Sequence, residues 1–138
     1  MEVYVSWAGK MKFTAHPPSG FEFSFDSPPE FGGEGAGPQP LEALLCCIAA
    51  CSAMDVISIL KKKRQDVTAY RVEVKGDRPP GGQWPRPFTK IVVRHILSGK
   101  DLDEAAVARA AELSDTKYCS VTATLREAPE VTSEWEVN

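Results

Sequence analysis

Asparagine occurs only at the last position of this 138-residue chain, and glutamine occurs three times. Such a shortage of thermolabile amides is a trait of proteins from hot environments. Positive charge is not in excess either. Sixteen Lys and Arg against nineteen Asp and Glu give a formal net charge of -3, without the broad electropositive field that nonspecific nucleic-acid binding needs. Nucleic acid is therefore not an expected partner. The amino end lacks the basic segment and apolar core of a secretory leader, and no stretch reads as apolar for the about 20 residues a bilayer requires. The expectation is a cytoplasmic protein with no membrane partner. What the chain does have is 43% hydrophobic residues, enough for one globular domain over residues 1–138. It also has four cysteines, Cys46, Cys47, Cys51 and Cys119. Their irregular spacing in apolar company is unlike the disulfide framework of a small secreted domain. They read as buried or working thiols.

Val3, Val5 and Trp7 share one parity, and after a turn at His16-Pro17-Pro18-Ser19-Gly20 the residues Phe21, Phe23 and Phe25 alternate with polar ones. Period two predicts a hairpin of half-buried strands. Residues 27–37 are rich in Pro, Gly and Glu, too poor in apolar side chains to repay ordering on their own, and predict a mobile loop. Pro38 and Pro40 suit the first turn of a helix from about Pro40 to Arg64, with Lys61 to Arg64 complementing the dipole at its carboxyl end. Between Leu41 and Cys51 nearly every face is apolar, so that part must be covered on all sides. A helix of roughly 35 to 40 Å is long for so small a domain and points to a central helix shared with a partner subunit. Tyr70, Val72 and Val74 begin one further strand and Lys90 to Leu97 form another. Asp101 and Glu104 resemble a capping box for a helix ending near Ser114. A helical turn follows Cys119, and Val131 to Val137 alternate as a last strand. The order β-β-α-β-β-α-(short α)-β is an α+β architecture.

Residues 37–67 (GPQPLEALLCCIAACSAMDVISILKKKRQDV) and 113–125 (LSDTKYCSVTATL) closely resemble the two cysteine motifs of the OsmC/Ohr superfamily, nearest its YhfA-like branch. The resemblance extends over essentially the whole chain. It implies the OsmC-like fold, antiparallel sheets around a long central helix in an intertwined homodimer. It further implies thiol-dependent reduction of organic hydroperoxides in oxidative-stress defence. Cys51 takes the peroxide oxygen as a sulfenic acid, Cys119 condenses with it as a disulfide, and a dithiol reductant, a lipoyl group in the Ohr branch, restores the pair. No metal and no cofactor is implied. Two thiols are needed because a lone sulfenic acid over-oxidises, whereas a resolving thiol traps it reversibly. The bridge requires Cα atoms within about 7 Å, so the fold must bring Cys119 against the middle of the long helix.

A working thiol also needs something to depress a pKa that starts near 8.5. Cys51 lies too deep in its helix to feel the amino-terminal dipole, whereas Cys119 opens a short helix whose free amides can serve it. By residue position Cys119 is the better nucleophile; the resemblance assigns that role to Cys51. The chain also departs from the peroxidase pattern, which places an arginine in the N-terminal strand region and a glutamate ten residues before the first cysteine. No arginine precedes Arg64, and Leu41 stands at the glutamate's place. Glu42 is the candidate substitute, but in an ideal helix it lies about 180° around from Cys51; otherwise it is a first-turn carboxylate complementing the dipole. Lys10, Lys12, His16, Arg86 and His95 are candidate cations.

Taken singly, Cys51 and Cys119 read as small buried hydrophobes, and Cys46 and Cys47 as packing residues. Cys47 and Cys51 at i and i+4 lack a supporting His or carboxylate for a metal. Asp55, one turn after Cys51, would raise a neighbouring thiol's pKa and is expected to pair with a Lys or Arg instead. Two other functions stay open: a noncatalytic dimer that binds a hydrophobic small molecule, and a thiol redox sensor.

Overall fold

The computed structural model describes residues 1–138 and divides into two compact units, Met1–Cys46 and Cys47–Asn138. The first holds an antiparallel sheet of three strands in sequential order, β1 (Tyr4–Trp7), β2 (Phe13–His16) and β3 (Phe23–Phe25). The expected hairpin was one strand short. Gly9 and Lys10 both adopt positive φ, and the Lys12 amide bonds to the Gly9 carbonyl at 3.0 Å. This tight turn reverses the chain before Phe13, where the sequence reading saw no break.

Residues 27–37 are not left to themselves. Asp26 is 2% exposed, and its carboxylate accepts the amides of Ser27, Glu34 and Ala36 at 2.8, 3.1 and 3.1 Å. The Pro29–Phe31 stretch forms a single 3-10 turn. At Gly33 a side chain would collide with the Ser27 carbonyl, so glycine permits the loop to close on itself. One charged side chain thus supplies the order that the loop's own apolar content cannot, which corrects the expectation of a mobile segment.

The long helix, α1 (Pro40–Lys62), is unbroken. Arg64 takes a left-handed conformation and the Gln65 amide reaches back to the Leu60 carbonyl at 3.0 Å, the backbone signature of a Schellman stop. By length and composition α1 is apolar enough to cross a membrane, with a mean hydropathy of 2.3 over its best window. This corrects the sequence reading. Ser52, Asp55 and Ser58 are too sparse to lower that average. Only 22% of the window is buried within the chain.

In the second unit β4 (Asp66–Asp77) pairs antiparallel with β5 (Lys90–Lys100). Then come α2 (Glu104–Leu113), a wide π turn over Ser114–Tyr118, and α3 (Ser120–Glu127). The α2 cap is Asp103, whose carboxylate accepts the Ala105 amide at 3.0 Å; Asp101 instead sits at φ 49 in the preceding turn. Val56 and Leu60 of α1 and Ala106 and Ala110 of α2, each pair spaced i and i+4, form the core, with Tyr70 and Leu97 packed against it. Full burial of a Val or Leu side chain is worth about 1.5–3 kcal/mol. The expected last strand is absent. Residues 128–138 form no strand, and Val131, Trp135 and Val137 are exposed, because a strand needs a ladder partner and the chain offers none there.

Candidate functional site

Cys51 sits at the middle of α1, half-buried, and Asp55 lies one turn further along. Cys119 arrives from another direction. The π turn closes with the Cys119 amide on the Ser114 carbonyl at 2.9 Å and delivers Cys119 to the N-cap of α3. There its sulfur does what a serine or threonine oxygen does at other caps. It accepts the Thr122 amide at 3.4 Å and the Thr122 hydroxyl at 3.1 Å. The preceding amide, that of Val121, acts on the Cys51 sulfur and favours its charged form. Both thiols therefore lie at the amino end of one short helix.

The result is a cluster: the Cys51 and Cys119 sulfurs and an Asp55 carboxylate oxygen all lie within 4.8 Å of one another. Cys119 is 3% exposed, and all four cysteines are free thiols. Asp55 does not pair with a Lys or Arg as expected; the Ser114 hydroxyl donates to its Oδ2 at 3.0 Å. The Val121 amide pulls the Cys51 thiol down. Burial, the hydrogen-bonded Cys119 sulfur with its charge, and the charge of Asp55 together outweigh that and push it above its ordinary range.

Four of the five candidate cations are engaged elsewhere or neutral. Lys10 bonds Glu34 at 2.7 Å, and His16 contacts Glu22 at 2.6 Å. Arg86 donates to the Pro79 carbonyl and stands over the Trp84 ring. His95 shares a hydrogen bond of 2.7 Å with the Tyr70 hydroxyl. Burial lowers its pKa against the opposing pull of Asp115, so the ring is neutral at neutral pH. Burial first, and Asp55 second, push the Tyr70 hydroxyl up to about 12.

Of the residues named from sequence, Cys51 and Cys119 come together and Glu42 does not join them. Its carboxylate accepts the Gln39 amide at 2.9 Å, a first-turn contact at the start of an unbroken helix. Cys46 and Cys47 are exposed on this chain rather than packed within it. Sequence reasoning missed Ser114, Val121 and Thr122. The last was within reach, since a cap residue bonds backbone two or three positions on. Ser114 meets Asp55 only through tertiary folding.

Beside the pair lies a groove of about 660 Å³ lined by Ile48, Phe88, Ile91, His95, Leu125 and Thr122, among others. Thr122 both lines it and donates to the Cys119 sulfur, which connects to the thiols an open cavity whose apolar wall is edged by Lys90, Glu112, Asp115 and Arg126.

The model of the OsmC-like protein family matches residues 33–134. Protein YhfA of Escherichia coli K12 is 40% identical over 99% of this chain and 98% of its own. A solved structure of a hypothetical protein from Aquifex aeolicus is similar with a TM-score of 0.77, at 34% identity over 99% of this chain and 95% of that one. An organic hydroperoxide resistance protein OsmC from Legionella pneumophila has a similar fold, with a TM-score of 0.63 at 16% identity, covering 91% and 88% of the two chains.

Proposed function

This chain belongs to the OsmC-like protein family, and from that premise we propose that it is a thiol-dependent hydroperoxide reductase acting on organic peroxides in cytoplasmic oxidative-stress defence. The observation that carries this reading is the meeting of two free sulfurs within 4.8 Å from motifs far apart in the chain. Cys51, the more exposed of the two, attacks the terminal peroxide oxygen; the alcohol leaves and Cys51 becomes a sulfenic acid. Cys119 then attacks that sulfur, water leaves, and a disulfide remains. An external dithiol, such as a lipoyl group, reduces it by exchange. The apolar side of the groove, Ile48, Phe88, Ile91 and Leu125, favours an organic substituent over hydrogen peroxide itself.

With Cys51 raised by its surroundings, only a minor fraction is thiolate at neutral pH, so turnover rises with pH. Glu42, capping its own helix, is left out of the catalytic set. The proposed assembly is a homodimer of single OsmC-like domains spanning residues 1–138. Its support is the apolar surface that this chain leaves uncovered: Cys46, Cys47 and Met54 on α1, and Tyr4, Val5 and Trp7 on β1.

The test is consumption of cumene hydroperoxide by the reduced protein with a dithiol in excess. Turnover that disappears in Cys51→Ser, and in Cys119→Ser gives way to over-oxidation of Cys51, supports the reading. A folded wild type that leaves the peroxide untouched over hours overturns it. The groove favours a second reading, a carrier of a hydrophobic small molecule. A lipid that copurifies and persists in Cys51→Ser, with no peroxide turnover by the wild type, selects that one.

A further inference from the structure

Cys51 and Asp55 stand at i and i+4 on one face of α1, and Cys119 faces them from the cap of α3. Two soft sulfur donors and one carboxylate oxygen thus converge from two rigid elements. A tetrahedral ion held at about 2.3 Å from sulfur and about 2.0 Å from oxygen keeps its donor atoms roughly 3.5 to 3.8 Å apart. The three donors here already lie within 4.8 Å of one another. A shift of about 1 Å in side chains alone closes that difference.

The rest of the site is arranged as the surroundings of such an ion would be. Ser114 holds Oδ2 of Asp55 at 3.0 Å, leaving the other carboxylate oxygen to turn inward. Thr122 donates both its amide and its hydroxyl to the Cys119 sulfur, at 3.4 and 3.1 Å, contacts that a metal thiolate retains. Charge points the same way. The basic side chains nearest in sequence are turned elsewhere, Lys117 over the Tyr118 ring and Arg126 to Asp115 at 2.8 Å. The charge of Asp55 therefore adds to the thiol pair. This opposes a free thiolate and suits a divalent cation.

We propose that the reduced protein binds one borderline-soft divalent cation, zinc in chemical class, through Cys51, Cys119 and Asp55, with a water completing the tetrahedron. Binding displaces the thiol protons, and the ion holds both sulfurs so that they cannot bridge while it is bound. The donor set mixes thiolate with carboxylate, which selects zinc or cobalt over magnesium and calcium. The inference stands on donor geometry and is independent of peroxide chemistry: either can fail while the other holds.

The experiment is anaerobic titration of the reduced full chain with cobalt(II), followed by displacement with zinc. Expected are one cobalt per chain, a thiolate-to-cobalt charge-transfer band with tetrahedral ligand-field absorption, and loss of both on adding zinc. The band is expected to survive in the Cys46→Ser/Cys47→Ser double variant, whose changes fall outside the three donors, and to weaken in Cys51→Ser and Cys119→Ser. Ser114→Ala, which removes the hydroxyl that holds Asp55 and also reaches the Ser52 carbonyl, is expected to weaken binding about tenfold with the spectrum kept and the fold intact by circular dichroism. Asp55→Asn is expected to weaken it further and to alter the ligand-field bands. A folded wild type with no cobalt–sulfur band overturns the proposal. So does a band that is indifferent to Cys51 and Cys119, or one that vanishes in the Cys46/Cys47 double variant.

Discussion

Joining Cys51 to Cys119 is expected to stabilise the folded chain by about 4 kcal/mol. The two residues close a loop of roughly 70 residues, and the freedom removed from the unfolded ensemble grows with the logarithm of loop length. Opposing this is the closure itself. Sulfurs now within 4.8 Å must come to about 2.05 Å, and the hydrogen bonds from Thr122 to Cys119 weaken as that sulfur turns toward Cys51. The adjustment falls on two side chains and on the cap of an eight-residue helix, not on the long helix, so most of the gain survives. For a chain of this size that corresponds to a rise in Tm of roughly 10 °C. The assay is calorimetry and guanidinium unfolding of the reduced and oxidised forms in the Cys46→Ser/Cys47→Ser background. Protein concentration is matched, because an oligomer's stability depends on it. An oxidised form that melts at or below the reduced one would refute the reasoning.

Three further outcomes are expected. Leu60→Ala, at a fully buried position of the α1–α2 core, costs about 2–5 kcal/mol and lowers the urea midpoint with the m-value unchanged. Asp55→Asn removes a charge that raises the Cys51 thiol; the pH profile of Cys51 alkylation moves to lower pH, and an unmoved profile takes Asp55 out of the electrostatic account. Asp26 is held below the ordinary carboxylate range, chiefly by the Ala36 amide and against some desolvation. Its contribution is therefore present above the unfolded pKa and lost as pH falls through the folded value. Hydrogen-exchange protection of the Ser27, Glu34 and Ala36 amides should fade across that range and be missing at neutral pH in Asp26→Ala.

Periodicity in the sequence located β4 and α2, each of which buries one face and leaves the other to solvent, while an unbroken apolar run between prolines and a basic end located α1. It failed where the decisive contact is single or distant. The β1–β2 reversal rests on two residues at positive φ, and the loop after β3 rests on one carboxylate. At the carboxyl end, alternation of Val131, Ser133, Trp135 and Val137 marks a strand-like pattern without a ladder in the chain. The thiol pair was legible through paired motifs and through the helical turn expected after Cys119, which α3 supplies. Its electrostatics were not. That Asp55 turns toward the sulfurs, with Ser114 in place of a basic partner, follows from how α2 and the π turn pack on α1, which no local pattern encodes.

Peptide mapping after a single equivalent of organic hydroperoxide tests the central claim most directly. The account predicts a product lighter by two hydrogens, with Cys51 and Cys119 joined within one chain. A stable oxygen adduct on Cys51 with Cys119 still free would contradict it, as would a bridge running through Cys46 or Cys47.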